Sequence, residues 1–409
     1  MFARQQLFSS RYQIICGQIQ FASGLALVRF DHAPLTIPSL SRRTFLASAF
    51  AASCGRKRAA RYQGWLFVAG GAARTVSVTN LARFVSVTDI GLPHAPDQLL
   101  LARRQIFVTS REGRELIEID PARFRVAGRI SLPGKPVSAL LLPGDSPALV
   151  VTQEPATALV VDLATRRVLT RLNLPAEAAD VSLADGVAVV TLPSRSSVLR
   201  ISLPDLKIVG ETPVGAACGT VRFRKDGKII LAGITTARQI VTLDARSGAV
   251  LARLPLPVEP LRFCFNGDGG QMFVTGTGED SLAIVNPYQN EVDQTILAGR
   301  TPGPMAVSRQ NLLFVANTGS GDLTILDIDT RQLAASVHVG GNPGEILLTP
   351  DGEYAMSVDP ASGTVSVVRI FTAINHSQVA LVARPPKPLF TVFQTAADAR
   401  SAIIVPFPA

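Results

Sequence analysis

A register mark recurs along most of this chain and limits its fold more than any other feature. Asn80, Asp120, Asp162, Ser202, Asp244, Asn286, Asp327 and Arg369 follow one another at spacings of 40, 42, 40, 42, 42, 41 and 42 residues. Seven of the eight are Asn, Asp or Ser, whose side chains bond to nearby backbone and start tight turns. Each closes an alternating segment such as Thr75-Val76-Ser77-Val78 or Thr364-Val365-Ser366-Val367. Before that segment comes a short apolar run, for example Gln105-Ile106-Phe107-Val108-Thr109 or Leu312-Leu313-Phe314-Val315-Ala316, and then a polar or glycine-rich loop. Apolar runs and period-two alternation of this length predict strands. A third strand follows, as in Arg167-Val168-Leu169-Thr170-Arg171-Leu172, and a fourth begins near a Pro or Ala, as in Pro343-Gly344-Glu345-Ile346-Leu347-Leu348. The pairs Asp226-Gly227, Asp268-Gly269 and Asp351-Gly352 then predict two-residue hairpin turns.

Four short antiparallel strands in each unit of about 40 residues is the pattern of a β-propeller. A lone four-stranded sheet cannot bury both faces, whereas sheets stacked radially cover one another, which suits a chain that is 47% hydrophobic. Length alone, at about 150 residues per domain, would divide the 409 residues in two or three. The repeat instead makes 65–409 one all-β domain of eight repeats, with seven blades as the alternative count. The eighth repeat carries an insertion between Ile370 and Pro388, including Pro385-Pro386-Lys387-Pro388, before the strand Leu389-Phe390-Thr391-Val392-Phe393. Ser401-Ala402-Ile403-Ile404-Val405 reads as an inner strand that pairs near Trp65 and closes the ring.

The segments Phe314-Val315-Ala316-Asn317, Gly321-Asp322-Leu323-Thr324-Ile325-Leu326-Asp327 and Gly340-Gly341-Asn342-Pro343-Gly344 resemble the YVTN family of β-propeller repeats. Degenerate forms stand at Phe107-Val108-Thr109-Ser110 and Phe273-Val274-Thr275-Gly276. The likeness covers about 65–409 and is closest in 271–370. It implies a propeller and little about activity, since propellers host many.

Near the N-terminus, Ser41-Arg42-Arg43-Thr44-Phe45-Leu46 resembles the core of the twin-arginine export signal, carried by Arg42, Arg43, Phe45 and Leu46. An alanine-rich run follows, too short for a membrane helix and of the length of a signal h-region. It ends in Ala51-Ala52-Ser53-Cys54, similar to a lipobox, which implies lipidation of the Cys54 thiol and cleavage before it. Ala47 stands where many such signals carry lysine, and Ala51 where a lipobox usually has leucine. On this reading 1–40 is a spurious or disordered extension, 41–53 a signal peptide and 54–64 a tether.

The net charge of +9 does not point to nucleic acid. Only six of the 40 basic residues are lysine, and no basic stripe interleaved with aromatics occurs. The four histidines are scattered and no Cys-x-x-Cys pair exists, so neither a metal nor a cofactor is implied. Cys218 and Cys264 fall on neighbouring inner strands at different offsets and read as free thiols.

Two residues past each Pro or Ala slot, Gln98, Asp180, Arg262 and Glu345 fall at the start of an inner strand and are candidates to converge on the central channel. They would bind a polar ligand, support acid–base chemistry, or simply neutralise one another in a water-filled funnel. The loops on that face carry charges of both signs, which suits a contact surface. No glycine-rich phosphate loop and no Gly-x-Ser-x-Gly elbow occurs. The expectation is a monomeric, exported, lipid-anchored propeller acting as a binding scaffold for a protein or glycan at the bacterial cell envelope. The alternative is a hydrolase resembling the 6-phosphogluconolactonase-type lactonases, with Asp180, Arg262 and Glu345 activating water.

Overall fold

The computed structural model describes residues 28–30, 33–35, 61–144, 146–375 and 387–407. Two compact units divide the chain, Met1–Ala60 and Arg61–Ala409. In the first, an antiparallel pair joins Val28–Phe30 to Ala33–Leu35. The export-signal residues Arg42, Arg43, Phe45 and Leu46 and the candidate lipidation site Cys54 lie outside the described residues.

The second unit is eight four-stranded antiparallel sheets, which fixes the blade count at eight. From channel to rim, blade 1 runs Ala399–Pro406, Gly64–Gly70, Thr75–Asn80, Val85–Gly91. The C-terminal strand is therefore the innermost of blade 1 and pairs with Gly64–Gly70, opposing Phe67 to Ile403 and Trp65 to Val405. The inner strands of blades 2 to 8 are Leu99–Ala102, Lys135–Leu141, Val181–Ala184, Cys218–Phe223, Glu259–Phe265, Pro302–Val307 and Ile346–Leu348, each followed in sequence by its second, third and outer strands. In blade 8 the outer strand Leu389–Gln394 comes after a short helix, Ile370–Ile374, which begins the insertion.

The second strands are buried along nearly their whole length because both their faces meet neighbouring blades. Phe67, Phe107, Phe273 and Phe314 recur in this strand with no more than 1% exposure. Burial of one such side chain is worth about 1.5–3 kcal/mol. Each blade-to-blade contact is a separate apolar cluster, such as Phe314, Ile325, Ile346 and Val368 between blades 7 and 8.

Two regular features recur from blade to blade. The fourth residue beyond the turn-starting Asn, Asp or Ser is left-handed in seven blades: Phe84, Phe124, Arg166, Leu206, Gly248, Asn290 and Arg331, with φ between 51° and 78°. Several of these side chains reach the preceding blade. Phe124 stacks edge-on against Trp65 at 5.1 Å, Arg166 Nε donates to Glu118 at 2.7 Å, and Arg331 pairs with Asp293 at 2.8 Å. Every outer strand also carries a one-residue bulge opposite the third strand, at Val87, Ala127, Leu169, Val209, Leu251, Asp293, Ala334 and Phe390. A bulge increases local twist and blunts an exposed edge.

The Asp-Gly expectation is corrected in one respect. Gly227, Gly269 and Gly352 do have φ of +69°, +78° and +72°, but they close four-residue loops. In the first, Arg224 N bonds to Ile229 O around an inner turn from Gly227 N to Arg224 O. The two-residue turns with both φ positive are Arg103-Arg104 and Asp185-Gly186.

Candidate functional site

The loops entering each inner strand and those between second and third strands share one face, above the mouth of the channel. Of the four expected channel residues, three bind backbone of the next blade's inner strand. Gln98 bridges blade 2 to blade 3: its Oε1 accepts from Ala139 N at 3.0 Å and its Nε2 donates to Ala139 O at 3.1 Å. Asp180 does the same from blade 4, accepting from Val221 N and Thr220 Oγ1, both at 3.0 Å, and from the Arg222 guanidinium. Its other oxygen accepts from Val181 N at 2.9 Å. Glu345 closes blade 8 onto blade 1 by accepting from Ala402 N at 2.8 Å. Ser401 continues the series, accepting from Leu99 N at 3.2 Å. The recurrence follows from geometry, because an inner strand has an unpaired edge toward the channel and its N–H groups need acceptors.

Channel charge is partly paired. Asp180 is held by Arg222, a residue missed in the sequence although it is a lone charge within the strand Cys218–Phe223. Arg262 is exposed to the channel and its positive charge favours the ionised form of Glu345. Glu345 is exposed at the start of its inner strand, yet the surrounding protein displaces part of its hydration. That loss of hydration outweighs the Ala402 hydrogen bond and Arg262, and pushes its carboxyl up to about 7. Cys264, a free thiol in the inner strand of blade 6, is pushed up to about 11 by burial against an opposing effect of Arg222. Burial likewise raises the free thiol Cys218. The Glu345 carboxyl is therefore able to exchange a proton near neutrality, and the Asp180 carboxylate accepts from four donors.

On the loop face several charges are paired as well. Arg74 meets Glu112 at 2.7 Å, Arg195 meets Glu211 at 2.7 Å, Arg400 meets Asp97 at 2.7 Å and Asp398 at 2.8 Å, and Lys135 contacts Glu154. His94, which alone would be a solvated loop residue, bonds through Nδ1 to the buried Glu115 at 2.8 Å. Among the described residues no group of three His, Cys, Asp or Glu side chains is placed to hold a metal ion.

A second concavity opens on the same face between blades 7 and 8, with a volume of about 290 Å³. Val339, Gly340 and Gly341 wall it on one side, and Ser357, Asp359 and Ser366 on the other. Gly340 and Gly341 are left-handed, with φ of +78° and +58°, and a Cβ on Gly341 would lie 2.4 Å from Asp359 Oδ2. Gly341 of the YVTN-like segment thus keeps this cleft open.

No family model matches the chain, and no curated protein matches it. The likeness to YVTN repeats accordingly stays with the motif residues themselves. Solved structures are similar over most of the propeller. A dihydro-heme d1 dehydrogenase, NirN, in complex with DHE is 14% identical with a TM-score of 0.66, over 76% of this chain and 71% of that one. Hydrazine synthase of Kuenenia stuttgartiensis is 18% identical with a TM-score of 0.52, over 67% and 95%. The computationally designed Ika8 protein is 15% identical with a TM-score of 0.63, over 76% and 98%. At these identities the likeness establishes the propeller fold.

Proposed function

We propose that this protein is a binding scaffold, exported and lipid-anchored through Cys54 at the bacterial cell envelope, whose loop face meets a protein or glycan partner. The observation that carries the scaffold reading is the set of paired charges of both signs on the loop face, from Arg74–Glu112 to Arg195–Glu211 and Arg400–Asp97. Such a surface repels neither sign, sets orientation, and can exchange internal pairs for intermolecular ones. Its loops hang from rigid, fully buried strands, so the surface is preorganised. The location rests on the residues around Arg42-Arg43 and Cys54 alone.

Mass spectrometry of the protein extracted from its own membranes tests both halves. The expected result is a chain beginning at a diacylglyceryl Cys54 that, under native conditions, retains a second macromolecule, and loses it when Arg74 and Arg195 are both changed to Glu. A lipid-free chain starting before Ser41 sinks the location. Retention of the partner by the double variant sinks the paired charges as its site.

A lactone hydrolase working in the channel is the second reading, and one observation favours it: Glu345, with its carboxyl at about 7, has the proton affinity of a general base. Asp180, saturated by its four donors, is then a positioning residue. Hydrolysis of a sugar lactone by the wild type no faster than by Glu345→Gln removes this reading.

A further inference from the structure

One position on the second strand faces the preceding blade close to the loop face. It is occupied by Val68, Val108, Val150, Val190, Ala232, Val274 and Val315 in blades 1 to 7, each inside the apolar cluster shared with the blade before it. In blade 8 the same register position is Ser357, paired across the sheet with Ser366. Ser357 is 2% exposed, its buried hydroxyl has no hydrogen-bond partner among the described residues, and the residue lines the cleft against blade 7. A buried hydroxyl left unpaired where seven sister blades carry an aliphatic side chain destabilises the fold unless something else occupies its bonds.

The cleft states what that partner must offer. Ser366 Oγ spends its proton on Val339 O at 3.1 Å and keeps free lone pairs. Asp359 Oδ2 receives Asn342 N at 3.2 Å, and its Oδ1 receives Ala361 N and Ser362 N. These backbone donors hold the carboxyl below its usual range in spite of partial burial, so it remains an acceptor. Among the described residues acceptors outnumber donors and no Lys, Arg or His lines the cleft, and Val339 and Pro343 supply an apolar wall. An anion is disfavoured beside Asp359, and a group with several hydroxyl donors is favoured. The volume of about 290 Å³ lies just under the span of about 300–1,000 Å³ typical of drug-sized sites and suits a single ring.

We propose that the cleft between blades 7 and 8 is a binding site for one neutral, sugar-sized polyol, with Ser357 donating from the floor and Asp359 and Ser366 accepting its hydroxyl protons. The site is separate from the central channel and does not depend on where the protein resides or on what those paired charges contact.

The test is calorimetric titration of the purified protein with neutral hexoses, pentoses and inositol, alongside a hexose phosphate and ethanolamine. At least one neutral polyol is expected to bind with a dissociation constant of about 10 mM or tighter, and the hexose phosphate more weakly. Ser357→Val, which installs the residue of the sister blades, is expected to weaken binding at least tenfold while its melting temperature stays at or above that of the wild type. Ser357→Ala removes the hydroxyl without added bulk and is expected to weaken binding as well, which covers the case in which the valine variant folds poorly. Failure of every neutral polyol to bind overturns the proposal. So does unchanged binding by both variants, or tighter binding of ethanolamine or the phosphate than of any polyol.

Discussion

The carboxyl of Glu345 shows how far position governs a side chain's chemistry. Its folded-state value of about 7 stands above the ordinary 4.5, so the folded protein holds this proton more tightly than the unfolded chain does. The carboxyl therefore favours folding at low pH, and that contribution is lost as pH rises from about 4.5 through about 7. Glu345→Gln keeps an acceptor for Ala402 N and removes the titration. Urea midpoints of the variant and the wild type are expected to agree near pH 4 and to diverge in the variant's favour above pH 7. Equal midpoints at both values would show that the carboxylate is better hydrated than its surroundings suggest. The turn Arg103-Arg104 makes a second residue-scale case, since both residues sit at positive φ, 51° and 61°, where arginine is strained. Replacing the pair by Asn-Gly, the preferred sequence for such a turn, is expected to raise stability by about 1 kcal/mol in denaturant melts.

Between elements, polar clasps supply what the apolar clusters cannot, namely a fixed register of one blade on the next. Arg200, 5% exposed in the third strand of blade 4, donates to the carbonyls of Ala245, Arg246 and Ser247 in a turn of blade 5. Its guanidinium so satisfies three acceptors that a shortened side chain would strand. Arg200→Met is expected to cost about 1–3 kcal/mol, read as a lower denaturation midpoint, because the turn loses its charged donors from a buried side chain. Leu169 makes the contrast: it is a bulge residue on an outer strand, 59% exposed, and Leu169→Lys is expected to change stability by no more than about 0.5 kcal/mol. The strand alternation and the turn-starting Asp and Asn residues made the blades legible in the sequence. The bulges and left-handed residues were not, because side chains as different as Val87 and Asp293, or Phe84 and Arg331, share one backbone conformation.

At the scale of the whole molecule, stability depends on closure. The inner strand of blade 1 comes from the C-terminus, and its Ala402 is also the donor to Glu345 of blade 8. Removing 399–409 would leave Gly64–Gly70 as an open edge and uncover the cluster shared by Leu66, Met356 and Ala402. The truncated chain is expected to lose its cooperative melt and to aggregate in light scattering, whereas an equal truncation of an independent tail would leave both unchanged.

By itself the sequence determined the repeat, the four strands of each unit and the strand that closes the ring, because periodic burial is a local property written into successive side chains. It also placed Gln98, Asp180, Arg262 and Glu345 at the inner strands. Only the tertiary structure decided what these residues do. Gln98, Asp180 and Glu345 bind the next blade's backbone, Arg222 engages Asp180, and Arg262 acts on Glu345 across blades. Likewise Ser357 looks like any polar residue in a strand until the register aligns it with seven aliphatic neighbours. The reason is that hydration and hydrogen-bond supply at each site come from residues about 40 positions or more away, brought close by the closure of the ring.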